Sequence, residues 1–113
     1  MSDWIASRDL TDDQGRKITV RLARPKPDGN DWKVEFFIEI DGVSKPGHAY
    51  GVDAFQALVL SHHATRQALL ELSPSVRWFT EGDSGGFLDL SEAILKGFEH
   101  TLKMHGQPTP EEP

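Results

Sequence analysis

The sequence contains no cysteine. That excludes a disulfide framework, a thiol nucleophile and any thiolate-ligated metal centre. No apolar run approaches the ~18 residues that a membrane helix needs. The opening residues, Met1-Ser2-Asp3-Trp4, have neither the basic region nor the apolar run of a secretory signal. Basic residues are in deficit: 12 Lys and Arg stand against 18 Asp and Glu, a net charge of −6. Such a chain lacks the positive footprint of a nucleic-acid binder. These absences lead to the expectation of a soluble, cytoplasmic protein with no membrane partner.

What is present fits one domain, since 113 residues fall in the usual single-domain range. The charge is uneven. Residues 1–50 hold eight basic and nine acidic side chains, whereas residues 51–113 hold four and nine. The acidic second half favours solubility and would steer a basic partner.

The first half reads as β-structure. Ile18, Val20 and Leu22 alternate with Lys17, Thr19 and Arg21, the period of a half-buried strand. Trp32, Val34, Phe36, Ile38 and Ile40 alternate with Lys33, Glu35, Phe37 and Glu39 more clearly still. Residues 4–10 form a weaker first strand. Gly15, residues 25–30 and Asp41-Gly42 mark the turns, and residues 46–51 form a short fourth strand delayed by Pro46.

The second half reads as helical. Asp53 is a good N-cap, with Gln56 three residues later completing a capping box. Ala54, Ala57, Leu58, Ser61, Ala64, Thr65, Ala68, Leu69 and Leu72 form one stripe of small residues suited to close packing on a sheet. Ser73-Pro74 ends the helix. A long connection over residues 73–88 carries Val76, Trp78, Phe79 and Phe87, with Trp78 and Phe79 expected to tuck under the sheet or helix. Asp89 and Glu92 make a second capping box for a helix reaching Met104. The domain thus spans residues 1–105, and the proline-rich tail over 106–113 is expected to be disordered. The fold class is α+β: a three- to four-stranded antiparallel meander, a long helix on one face and a second, C-terminal helix.

Signals of chemistry are weak. Gly82-Asp83-Ser84-Gly85-Gly86 resembles the segment around the nucleophilic serine of chymotrypsin-like proteases, but over five residues only and without that family's His and Asp segments. A glycine-rich turn explains it as well. A small hydrolase would need His62 or His63 to approach Ser84 or Asp83. Adjacent helical histidines point about 100° apart and do not chelate one ion, so neither a metal nor a cofactor is expected. Arg16, Lys17, Arg21 and Arg24 gather on the second strand and beside it, the alternative reading being a nucleic-acid surface. Glu35, Glu39 and Asp41 oppose it. Phe37 projects from the side opposite the apolar face: either the C-terminal helix covers that side, or Phe37 marks a contact surface for a partner or a second copy, the reading that the alternating charges favour.

Tyr50-Gly51-Val52-Asp53-Ala54-Phe55-Gln56-Ala57-Leu58, with Trp78 and Gly82-Asp83-Ser84-Gly85-Gly86-Phe87, resembles a family of small bacterial proteins of unassigned function. The resemblance covers residues 3–90 and implies a β-meander leading into a helix; it brings no activity. Small acidic domains of this general kind include immunity proteins that neutralise toxins. The function expected is non-catalytic: a protein-interaction domain, an immunity or accessory factor. Phe37, Trp78, Glu81 and Asp83 are its contact residues, and another protein or a second copy is its partner.

Overall fold

The computed structural model describes residues 4–101. The expected tail and the last turn of the second helix lie outside these residues. The elements are β1 (Trp4–Thr11), β2 (Lys17–Ala23), β3 (Lys26–Asp28), β4 (Asp31–Ile40), β5 (Val43–Gly51), α1 (Ala54–Leu72) and α2 (Ser91–Thr101). The α+β class is the one expected. All five strands join one antiparallel sheet.

Five strands arise where three or four are expected because the second is broken. Leu22 faces Phe36 while Lys26 faces Lys33, so four steps on one side oppose three on the other. Pro25 falls in this irregularity, where its missing N–H costs no ladder bond. β3 is therefore a continuation of β2 along the same edge of β4, and Gly29-Asn30 closes its hairpin. β5 begins at Val43, three residues earlier than expected. Asp41 and Gly42 both have positive φ, 50° and 86°, the two-residue turn whose twist matches the strands it joins. Pro46 is accommodated because β5 is an edge strand.

Register assigns the faces. Leu10, Ile18 and Ile40 lie on the side that meets α1, as do Val20 with Ile38 and Leu22 with Phe36. Leu10, Ile18, Val20, Phe36, Ile38, Leu69 and Val76 form the core, each strongly buried. Burying side chains of this size is worth roughly 1.5–3 kcal/mol apiece. α1 meets the sheet through Ala57, Ser61, Thr65 and Leu69, all within the small-residue stripe. Close approach is required there: a Cβ on Gly51 would stand 2.3 Å from the Ala57 nitrogen.

The caps fit with small departures. Asp53 accepts from the Gln56 amide at 2.8 Å, and the Gln56 side chain reaches back to the Val52 amide, one residue before the cap. Asp89 accepts from the Ser91 amide and hydroxyl instead of completing a capping box with Glu92, and α2 starts at Ser91.

Candidate functional site

Val76 anchors the connection after α1 in the core, and the chain then runs beside β1. Thr11 and Arg77 exchange two backbone hydrogen bonds, at 3.1 and 2.7 Å. Asp83 folds the next residues into a closed loop. Its Oδ1 accepts from the amides of Trp78 and Gly85, at 2.9 and 3.0 Å. Its Oδ2 accepts from Phe79 and Thr80, at 2.8 and 2.9 Å. The Thr80 and Phe79 amides do most to hold the carboxyl down to about 2, against the opposing effect of desolvation, with Trp78 and then Gly85 adding to them.

The glycines complete the loop. Gly86 has φ +80°, and a Cβ there would lie 2.2 Å from the Trp78 ring and 2.9 Å from Arg8 Nη1. The Gly82-to-Gly86 string is therefore a turn that lets Trp78 lie flat on the backbone. Trp78 and Phe79 do not tuck under the sheet or helix. Trp78 stacks on the Arg8 guanidinium, 3.7 Å from its ring centroid, and on Phe79 at 4.3 Å. Trp78 is 40% exposed and Phe79 78% exposed. The apolar anchoring falls to Val76 instead. Glu81 is exposed at the loop tip.

Phe37 lies elsewhere, on the sheet face opposite α1, where Trp4 meets its ring edge-on at 4.8 Å. The structure thus brings Trp78, Glu81 and Asp83 together in one loop and sets Phe37 apart. The four basic residues near β2 do not share one surface. Arg21 pairs with Glu39 at 2.7 Å on the outer face. Arg16 turns towards the end of α1, binding Asp12 and the Leu72 carbonyl. Lys17 and Arg24 are exposed.

His62 meets the chain just after the loop. Its Nε2 accepts from the Leu88 amide at 3.1 Å, and its ring meets Phe87 edge-on. Burial, then the Arg8 charge and His63, push its pKa below the usual histidine value. The lone pair a general base would use is already engaged. Both Asp83 oxygens are taken by amides. Among the described residues, no group of three or more His, Asp or Glu could hold a metal ion.

Beside His62, between the β1–β2 end of the sheet and α1, lies a partly open cavity of about 190 Å³. Ala6, Ser7, Arg8, Val20, Leu22, Thr65 and Phe87 line it with His62. Sequence reasoning missed Arg8, Phe87 and this role for Thr65. The signal was there: Arg8 is a cation at a core-facing strand position, and Thr65 a polar residue inside the buried stripe.

A twisted antiparallel sheet with one helix across it, edged by an aspartate-organised aromatic loop, defines a small α+β domain. Its family follows from comparison: the chain belongs to the family described as a domain of unknown function (DUF6968), whose model matches residues 6–88. The match takes in the sheet, α1, the loop and the cavity, and stops before α2. No curated protein and no solved structure matches the chain.

Proposed function

We propose that this domain is a non-catalytic protein-interaction module of the cytoplasm, acting as an accessory or immunity factor, whose contact surface is the loop bearing Trp78, Phe79 and Glu81. The observation that carries this reading is the placement of Phe79. A large apolar ring stands 78% exposed on a loop whose backbone is fixed by four amide N–H groups that donate hydrogen bonds to the Asp83 carboxylate. An exposed aromatic on a rigid support loses little entropy on docking and suits the centre of an interface. Asp83 positions the loop, whereas Trp78, Phe79 and Glu81 meet the partner. The acidic excess of residues 51–113 matches a partner with an apolar pocket rimmed by basic side chains.

The test is a photo-crosslinking amino acid at position 79, with the same group at position 45 on the far edge of the sheet as control. A discrete adduct from position 79 alone is expected. The adduct partner, purified, should then bind the Phe79→Ser variant at least about tenfold more weakly. Adducts that are the same from both positions, or a partner indifferent to Phe79→Ser, would overturn the reading. A second copy of this chain in the adduct would redirect it to self-association.

A further inference from the structure

The outer edge of β1 bears on the form of the partner, an inference that rests on the reading of this domain as an interaction module. Along an edge strand, backbone groups face the sheet and the open side at alternate residues. Thr11 faces the open side, where its N–H and C=O pair with Arg77. Asp9 and Ser7 therefore present their N–H and C=O groups to that same side. Both are exposed, and among the described residues no strand or loop pairs with them there. Arg77 fills only the rung at Thr11, because Asp83 takes the next amides and turns the chain away.

The far edge of the sheet differs. Pro46 on β5 stands opposite Phe37, whose own backbone groups turn to Arg21 on β2, so the missing N–H of Pro46 falls on the outward side. Proline placed in this way blunts an edge, and β1 contains none.

The cavity beside His62 supplies a second, separate sign. Ser7 lines it although its side chain shares the outer face with that of Arg21, so the cavity reaches the β1 backbone at these rungs. Ala6, Val20, Leu22 and Phe87 give it apolar walls. Its volume, about 190 Å³, exceeds the roughly 150 Å³ that holds a benzene molecule in an engineered protein cavity. A strand paired with Ser7 and Asp9 turns its intervening residue to the α1 side of the sheet, where this cavity lies.

We infer that β1 receives an extended segment of another protein as a further antiparallel strand beside Ser7 and Asp9. An apolar residue between the two rungs enters the cavity, and a basic residue faces Asp9. Main-chain pairing supplies affinity in such strand addition, and a pocket for alternate side chains selects the sequence. Opposite charges directly across a strand pair attract. A second copy of β1 fits less well. The antiparallel register that uses both rungs pairs Ser7 with Asp9 and sets two Arg8 side chains opposite each other on one face, a like-charge clash.

The probe is the capped peptide Thr-Lys-Leu-Thr-Leu-Thr, followed by amide chemical shifts of the full chain. Aligned antiparallel, its lysine faces Asp9, its first leucine faces Arg8 and its central threonine faces Ser7. Saturable shifts at the amides of residues 7–9 and at Leu22 are expected. N-methylation of the lysine and central threonine, whose N–H groups meet β1, should abolish them, whereas N-methylation of the two leucines should not. Ser7→Pro removes an outward N–H without touching the β1–β2 ladder, and should weaken binding at least about tenfold while the β4 amides stay protected. If Ser7→Pro does not fold, the two methylated peptides decide. No saturable shift with the peptide, equal binding of the two methylated forms, or full affinity in a folded Ser7→Pro would each overturn the inference.

Phe79→Ser should leave peptide binding unchanged. The protein crosslinked from position 79 should also bind Ser7→Pro more weakly. A crosslinked partner that needs Phe79 and ignores Ser7→Pro would overturn strand addition and leave the docking loop standing. Peptide binding as expected, with no adduct from position 79, would uphold the β1 edge and remove the loop.

Discussion

Asp12 and Ser73 are 61 positions apart in sequence and joined by a 2.8 Å hydrogen bond at a fully buried point. The bond ties the β1–β2 turn to the residue that caps α1. The same carboxylate accepts from the Gln14 and Arg16 amides and from the Arg16 side chain. Helix and sheet are thereby fastened at one end, next to the start of the aromatic loop.

Asp12→Ala should destabilise the fold by about 3 kcal/mol, because it strands a buried hydroxyl and a partly buried guanidinium. Urea denaturation would measure this as a lower midpoint with unchanged slope. Burial raises the Asp12 pKa, but hydrogen bonds from Ser73, Arg16 and Gln14 outweigh it and bring it to about 2. With the folded value depressed, its stabilisation is complete above the unfolded value near 3.8 and is lost as pH falls towards about 2. Asp12→Ala should flatten stability against pH in that window.

Asp83 should make the loop acid-sensitive in the same direction. Its carboxyl sits at about 2 in the folded protein, so the loop is held above pH 3.8 and released as pH falls towards 2. Amide exchange at residues 78–80 and 85 would report the opening. Asp83→Ala should give fast exchange there at neutral pH while the amides of β4 stay protected.

Gly47→Ala should cost about 2 kcal/mol through overpacking. Gly47 pairs with Phe36 across β4 and β5, and an added Cβ would stand 2.3 Å from the ring. A melting temperature lower by roughly 10 °C is expected. An unchanged melt would mean that Phe36 is free to move aside.

His62 should titrate below 6.5, chiefly through burial, with Arg8 and His63 adding to it. Since the unfolded chain takes up the proton first, the Leu88–His62 bond contributes fully above about pH 6.5 and weakens as pH falls below it. The Leu88 amide shift should follow the imidazole titration. A midpoint at or above 6.5 would contradict the placement.

The strands and α1 were legible because period-two alternation and a small-residue stripe report burial on one face. Asp41-Gly42 and Asp53 were legible because their backbone chemistry is local. The split of β2 from β3 was not, because a one-residue irregularity at Pro25 depends on register with β4. The outward placement of Trp78 and Phe79 was hidden by the default that large apolar rings are buried. Asp83 reverses that default by accepting hydrogen bonds from four backbone amides whose approach no sequence pattern encodes. The Arg8–Thr65 pair was hidden for a related reason. Each residue is odd in its own element, but only tertiary packing puts 57 positions of separation around one cavity.

The two hydrogen bonds between Thr11 and Arg77 bear on the fate of the chain before it is fully folded. An uncovered outer strand is a template for another chain to add to, and the segment after α1 occupies part of that template in β1. Until α1 has docked and Asp83 has closed its loop, β1 stays open to intermolecular pairing. Variants that loosen the loop should therefore form inclusion bodies or fibrillar aggregates at expression temperatures well below those at which the sheet melts. Solubility during synthesis is then governed by a segment that enters the core chiefly through Val76 and Phe87.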